Sequence, residues 1–127
     1  MNILCQDAGF PLSDIVIFPT TGALGYGIEY AYSIQERTRL AGLTSDKLLA
    51  PPILCDVGFE AWRAKEAKMP PFAAPPDGAA DPPGAMWEAA TAAVLMQAGA
   101  ELLVMRHPKA VATIKSMIER LTQVPSN

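Results

Sequence analysis

The chain has 127 residues, a net charge of −3 at pH 7, and 50% apolar against 18% charged residues. This balance excludes disorder over most of the length, and the acidic charge argues against a nucleic-acid or anionic-membrane surface. Two cysteines are too few for a disulfide scaffold, an iron–sulfur cluster or a zinc site, and no apolar run approaches the ~20 residues of a membrane span. We expect one soluble, cytoplasmic domain over residues 1–127.

Residues 1–43 predict one strand between two helical segments. Residues 1–9 look like the end of a helix, and Asp14–Phe18 is a β-branched run with apolar residues at consecutive positions. That pattern is typical of a strand buried on both faces in a parallel sheet. The strand ends at the turn Pro19–Gly22, and a mixed helical pattern predicts a helix from Gly27 to about Leu43.

The middle of the chain combines a second strand with a proline-rich loop. Pro52–Asp56 is another buried run, and Phe59–Lys68 has the pattern of a short amphipathic helix. Residues 69–83, MPPFAAPPDGAADPP, contain six of the twelve prolines and no apolar period, so they predict a long extended loop. A loop of this length is either an ordered lid or a disordered insertion, and the sequence leaves both open.

The C-terminal part of the chain predicts a helix, a strand and a final helix. Met86–Ala98 is rich in Ala and Leu, and Gly99 suits the left-handed position after the end of that helix. Glu101–Met105 is the third buried run. Pro108 then takes the first position of a helix over Lys109 to about Leu121.

The alternation of these elements predicts an α/β fold with parallel strands joined by crossovers. Three strands leave two unpaired edges, and the N-terminal residues look like the last helix of a unit whose strand is missing. We interpret the chain as a partial (β/α)8 barrel made of about three C-terminal strand–helix units. Because exposed edges invite pairing, we expect an oligomer, or a complex with a chain that supplies the missing half of the barrel.

Polar residues and glycines follow each predicted strand, where barrels and open parallel sheets bind their ligands. Closely spaced glycines let a ligand approach the backbone, although their order here is not the dinucleotide fingerprint. No Ser–His–Asp or Cys–His arrangement is legible, and one histidine cannot supply a metal triad. The candidate ligand-binding residues are Thr20, Thr21, Gly22, Gly25, Gly27, Asp56, Gly58, Arg106 and His107.

Several candidates also have structural explanations, which the sequence leaves open. One of the two threonines could cap the helix that follows, and Asp56 could cap the helix near Phe59. His107, which precedes a helix-opening proline, could be structural, whereas Arg106 at a strand end favours an anionic partner. The two cysteines and two tryptophans fit packing positions.

Three groups of segments carry a likeness to known proteins, in chain order: Pro19–Tyr30 with Glu36–Leu40, Glu60–Glu66, and Trp87–Ala92 with Gln97–Ala100 and Val104–Pro108. They resemble signatures of one family, the small (delta) subunit of the corrinoid iron–sulfur protein, from the CO dehydrogenase/acetyl-CoA synthase system. The likeness runs from about Asp14 to Leu121, and three co-linear signatures are more specific than any one alone.

The resemblance implies a TIM barrel paired with a large subunit that carries an iron–sulfur cluster and a corrinoid-binding domain. It implies a corrinoid (cobalamin) held between that domain and the barrel rim, so that the candidate residues would bind cofactor. This chain would be a non-catalytic wall of the site, without a cluster of its own, because the cofactor supplies the hard chemistry. Methyl would pass from a methyl-tetrahydropterin to acetyl-CoA synthase, so a methyltransferase and the synthase are further expected partners.

Two hypotheses from other classes stand beside this one. The chain could be a structural, oligomer-forming barrel fragment that has lost cofactor binding. It could also be a free-standing small-molecule enzyme, since a fold alone does not determine function.

Overall fold

In a computed structural model, helices alternate with short parallel strands. The structure describes residues 2–70 and 82–123. Single 3-10 turns lie at Leu12–Asp14, Lys47–Leu49 and Glu66–Lys68. The strands are β1 (Leu54–Asp56) and β2 (Leu102–Val104). The helices are α1 (Asn2–Asp7), α2 (Ile28–Thr44), α3 (Val57–Ala61), α4 (Pro83–Ala98) and α5 (Pro108–Thr122). The prediction of an α/β fold with parallel strands is confirmed.

The sheet is shorter than predicted. β1 and β2 pair in parallel from Leu54 opposite Leu102 to Asp56 opposite Val104. The predicted strand Asp14–Phe18 is wrong in its extent, because only Ile17 bridges to the sheet, opposite Ile53.

Backbone hydrogen bonding explains why the first strand is so short. The Ile17 N–H donates to Pro52 O at 2.8 Å, and the Leu54 N–H donates to Ile17 O at 2.9 Å. The next donor that a parallel ladder would need is the N–H of residue 19, and Pro19 has none. Proline therefore ends the pairing after one residue.

The prediction that the strands are buried on both faces is also wrong. Odd-numbered positions face the helices, where Ile53 and Cys55 lie in the buried core and Leu103 packs against it. Even-numbered positions such as Phe18 and Val104 are exposed, Phe18 at 64%. Helices of the described chain cover one face of the sheet and leave an apolar second face open.

Small side chains let the helices approach the sheet closely. Ala31 of α2, Ala92 of α4 and Ala100 before β2 lie in the same buried cluster as Leu95 and Ile114. Burial of this apolar surface stabilises the fold.

An ion pair ties α2 to the start of β2. Arg39 on α2 donates to Gly99 O at 2.9 Å and pairs with Glu101 at 2.7 Å. The guanidinium therefore binds the chain where α4 leads into β2.

The helices agree with the sequence pattern except at α3. Gly99 has φ of 116° at the end of α4, and Pro108 begins α5, both as predicted. The predicted helix Phe59–Lys68 is instead the short α3 followed by the 3-10 turn Glu66–Lys68. Its buried residues Ala61, Ala64 and Ala67 recur every third position, a period that suits 3-10 turns.

The proline-rich loop lies mainly outside the described residues. Residues 71–81 are not described, so the lid and insertion hypotheses stay predictions. The loop ends earlier than predicted, because α4 already begins at Pro83, a residue suited to a first helical position. Within the described ranges, no helix is long and apolar enough to cross a membrane.

Candidate functional site

Two open grooves lie where the strands end. The first, the threonine groove, has a volume of about 500 Å³. Two of its side chains, Phe18 and Phe59, are more than 60% exposed, so it presents aromatic faces to solvent. It is lined by Phe18, Pro19, Thr20, Thr21, Asp56, Phe59 and Glu60.

The second groove, the arginine groove, has a volume of about 360 Å³. It shares Asp56 and Phe59 with the threonine groove, so the two form one continuous rim. It is lined by Asp56, Gly58, Phe59, Trp62, Arg63, Val104, Met105 and Arg106.

Asp56 links the strand end to the helix that follows. It is the last residue of β1, and its carboxylate accepts a hydrogen bond from the Phe59 N–H at 3.1 Å, which caps α3. The capping role that the sequence left open is therefore confirmed. The cap also fixes the first turn of α3 at the rim, with Phe59 standing between the two grooves.

A buried glutamate that the sequence analysis missed holds the chain in place just after β2. Glu88 of α4 is fully buried, and its carboxylate accepts hydrogen bonds from the backbone N–H groups of Arg106 and His107. It also accepts the indole N–H of Trp62 at 2.7 Å. A carboxylate is buried only where such donors replace water, so an acidic residue inside the Ala-rich pattern of α4 was the available signal.

Glu88 also explains the end of β2. The predicted strand Glu101–Met105 stops at Val104, because the Arg106 N–H donates to the Glu88 carboxylate instead of continuing the ladder. The Arg106 side chain is exposed, and its guanidinium carbon lies 5.3 Å from the centre of the Trp62 ring.

The glycine-rich turn before α2 packs against α4. The Thr91 hydroxyl accepts the Leu24 N–H at 3.3 Å, and the Trp87 indole N–H donates to Leu24 O at 3.1 Å. Gly25 and Gly27 have φ of 75° and 87°, values that favour glycine.

The lack of space inside the same turn explains why residue 22 is a glycine. A Cβ atom on this residue would lie 2.6 Å from the carbonyl oxygen of Gly27. The glycines at positions 22, 25 and 27 therefore shape the turn itself, and none of them lines either groove.

His107 has two structural contacts. Its Nδ1 accepts the Lys109 N–H at 3.3 Å, which caps α5, and its ring stacks on Trp62 at 6.0 Å between centroids. Gly58 is small because the strand end passes close by: a Cβ atom there would lie 3.0 Å from the Arg106 nitrogen.

A small polar cluster lies beneath the threonine groove. Gln35 donates to the Cys55 thiol at 3.1 Å, and both residues are fully buried. Burial raises the pKa of the Cys55 thiol, while the nearby Thr21 and Gln35 side chains oppose that shift. The Thr21 hydroxyl is also buried and has no well-aligned hydrogen-bond partner among residues 2–70 and 82–123, although Thr21 lines the threonine groove.

The structure thus brings five of the nine candidate residues together at the rim: Thr20, Thr21, Asp56, Gly58 and Arg106. Ligand contact by any of the nine stays a prediction. Thr20 is exposed and does not cap α2, which begins after Gly27 without a side-chain cap. Within the described ranges, His, Cys, Asp and Glu side chains form no group of three that could hold a metal ion.

These features define an α/β domain whose strand ends form an open rim of aromatic, hydroxyl and charged groups. A sequence model of the family described as CO dehydrogenase/acetyl-CoA synthase delta subunit matches residues 1–122. The chain belongs to this family.

Individual relatives agree with the family assignment. The chain is 41% identical to the acetyl-CoA decarbonylase/synthase complex subunit delta of Archaeoglobus fulgidus over 121 residues. This matched region covers 93% of this chain and 26% of the relative. The corresponding subunit of Methanopyrus kandleri is 40% identical over 123 residues, covering 97% of this chain and 30% of the relative. The chain therefore spans under a third of the length of these relatives.

Proposed function

We propose that this chain forms one wall of a corrinoid-binding site in a methyl-carrying subunit of the acetyl-CoA decarbonylase/synthase system. The observation that carries the proposal is the threonine groove, an aromatic and hydroxyl-lined hollow at the strand ends of a chain from the delta subunit family. The cobalt of a bound corrinoid would supply the methyl-carrying chemistry, with methyl-tetrahydropterin as donor and acetyl-CoA synthase as acceptor. The residues of this chain would bind and orient the macrocycle.

The side chains of the groove fit such a ligand. A corrin ring is broad and apolar on its faces and carries amide groups along its edge. Exposed Phe18 and Phe59 offer apolar contact to the ring. The Thr20 hydroxyl and the Glu60 carboxylate line the same groove and can accept hydrogen bonds from the amide N–H groups.

Partner subunits follow from the same proposal. The described residues leave the apolar sheet face that includes Phe18 and Val104 open. We propose that further strand–helix units, completing a (β/α)8 barrel, cover it, and that a large subunit with the corrinoid-binding domain sits on the rim. A structural role without cofactor would also bury this face, so cofactor binding is what separates the two hypotheses.

The test is cobalamin binding by the chain together with the large subunit, measured by gel filtration and the absorbance spectrum of the protein peak. We expect cobalamin to co-elute, and Phe59→Ala to weaken its binding at least fivefold because the substitution removes an exposed aromatic face. Phe10→Ala is the matched control, since Phe10 is 61% exposed next to α1 and outside the rim. Absence of cobalamin from the complex, or equal loss in both variants, would contradict the proposal and favour a structural role.

A further inference from the structure

The arginine groove carries two guanidinium groups, each placed against an aromatic ring. The Arg106 guanidinium carbon lies 5.3 Å from the centre of the Trp62 ring, and that of Arg63 lies 5.4 Å from the centre of the Phe59 ring. All four side chains line the same hollow of about 360 Å³. Such a pairing favours one region of space for the guanidinium and so reduces the entropy that it loses on binding a ligand.

The geometry leaves the side-chain hydrogen-bond donors of Arg106 available, and those of Arg63 except the one that is bonded to Glu60. The N–H groups of a guanidinium lie in its plane, where they can reach a planar or tetrahedral oxyanion. Arg106 pairs with no carboxylate within the described ranges. Arg63 pairs with Glu60 at 3.2 Å, but an exposed ion pair of this kind stabilises little and does not prevent ligand binding.

The backbone beneath Arg106 is fixed from the interior of the protein. Its N–H donates to the buried Glu88 carboxylate, which also accepts the Trp62 indole N–H. The arginine and the ring beneath it are therefore held by one acceptor. The strand end also passes close to α3, because a Cβ atom built at Gly58 would lie 3.0 Å from the Arg106 nitrogen.

We infer that the arginine groove binds a phosphate ester through Arg63 and Arg106. Each planar guanidinium can present two N–H donors to the oxygens of a phosphate, which the point charge of a lysine cannot do. The inference rests on the proposed function only in naming the molecule that carries the phosphate. If the chain binds a corrinoid, the phosphate would be the phosphodiester of the corrinoid nucleotide loop. The other source is a phosphate group unconnected to a corrinoid.

The first arm of the test uses inorganic phosphate and no corrinoid. The ¹⁵N-labelled protein is titrated with phosphate against chloride at matched ionic strength, while the arginine Nε–H and tryptophan Nε1–H signals are followed by NMR. We expect saturable shifts at Arg63, Arg106 and Trp62, with no change at Arg39, which is already paired with Glu101. Shifts that do not saturate, or that are equal at all arginines, would overturn the inference.

Charge-removing variants distinguish phosphate binding in the arginine groove from non-specific attraction of phosphate to positive charge. Arg106→Gln and Arg63→Gln should each weaken phosphate binding about tenfold, the size expected for one charge-assisted hydrogen bond. Arg120→Gln removes the same charge from the last turn of α5 and should change nothing. Equal weakening in all three variants would contradict the inference. If either groove variant fails to fold, the residue-specific shifts of the unmodified protein decide.

The second arm compares cobalamin with cobinamide, which lacks the nucleotide loop and its phosphate. In complex with the large subunit, we expect cobalamin to bind at least tenfold more tightly, and Arg106→Gln to remove that preference. Saturable phosphate binding without any corrinoid binding would refute the proposed function and leave the inference standing. Equal binding of cobalamin and cobinamide, without phosphate binding, would refute the inference and leave the proposed function standing.

Discussion

Glu88 gives the sharpest prediction, because one buried carboxylate accepts hydrogen bonds from three donors in two segments of the chain. Glu88→Gln keeps the shape and replaces one acceptor oxygen by an NH2 group. One amide oxygen can still accept the backbone N–H of Arg106, but the NH2 group then faces the Trp62 indole N–H, which currently lies 2.7 Å from the carboxylate. Two donors cannot bond to each other, so at least one buried donor loses its partner.

The expected destabilisation follows from these bonds. An unsatisfied buried donor costs about 1–3 kcal/mol, and the loss of charge assistance adds to it. We expect Glu88→Gln to lower the free energy of unfolding by about 3 kcal/mol, measured by urea denaturation with far-UV circular dichroism at neutral pH. Glu119→Gln, at an exposed position of α5, is the control and should change stability by under about 0.5 kcal/mol.

A double-mutant cycle tests the cause. Trp62→Phe removes the donor that the new amide would oppose, so its combination with Glu88→Gln should be less destabilising than the sum of the single changes, by about 1 kcal/mol or more. Strict additivity would refute the explanation, as would a Glu88→Gln effect below about 1 kcal/mol. Either result would mean that the carboxylate is not the acceptor on which the strand end depends.

Three further predictions concern the turn, the core thiol and the cap. Gly22→Ala should destabilise the protein by about 2 kcal/mol in urea denaturation, because its Cβ would lie 2.6 Å from a backbone oxygen. The folded state holds the proton of Cys55 more tightly than the unfolded chain does, so its contribution to stability falls as pH rises above about 8.5; Cys55→Ala should flatten that alkaline loss in a pH series of thermal melts. Asp56→Ala should lower the unfolding free energy by about 1 kcal/mol through loss of the α3 cap.

Each of these predictions has a matched control in the chain. Gly9→Ala should be milder than Gly22→Ala, because no atom of the described residues lies within 4 Å of a Cβ at position 9, although Gly9, unlike Gly22, has positive φ. Cys5→Ala should leave the alkaline slope unchanged, since Cys5 lies outside the buried core. Asp56→Asn should retain most of the cap, because an amide oxygen can replace the carboxylate oxygen. Reversal of any of these rankings would contradict the corresponding explanation.

Local signals in the sequence predicted the helices well. Gly99 and Pro108 act through their own backbone conformations, so their positions alone indicate where α4 ends and α5 begins. The lengths of the strands were overestimated, because an apolar run such as Asp14–Phe18 indicates a composition typical of strands but not which residues have hydrogen-bond partners. The missing N–H of Pro19 matters only once the register against Leu54 is known.

The candidate site was predictable in its position and only partly in its residues. Asp56 and Arg106 lie at strand ends, where a parallel α/β fold places its ligands, and both line the rim. Glu88 and Arg63 were missed, because their roles depend on contacts across 18 and more residues or on the shortening of α3. The glycines of the turn were interpreted as room for a ligand, and that contact stays a prediction. In the structure, Gly22 packs against the backbone of Gly27, and the positive φ of Gly25 and Gly27 shapes the turn.

The way α4 holds the glycine-rich turn bears on which positions tolerate substitution. Both hydrogen bonds from α4 go to the peptide groups of Leu24, one to its N–H and one to its carbonyl oxygen. The side chain at position 24 is not involved, so many residue types can replace it. The two hydrogen bonds depend instead on the side chains of Thr91 and Trp87, which lie more than 60 residues further along the chain. A saturation library should therefore accept varied residues at position 24 and reject most at 87 and 91, although all three support the same turn.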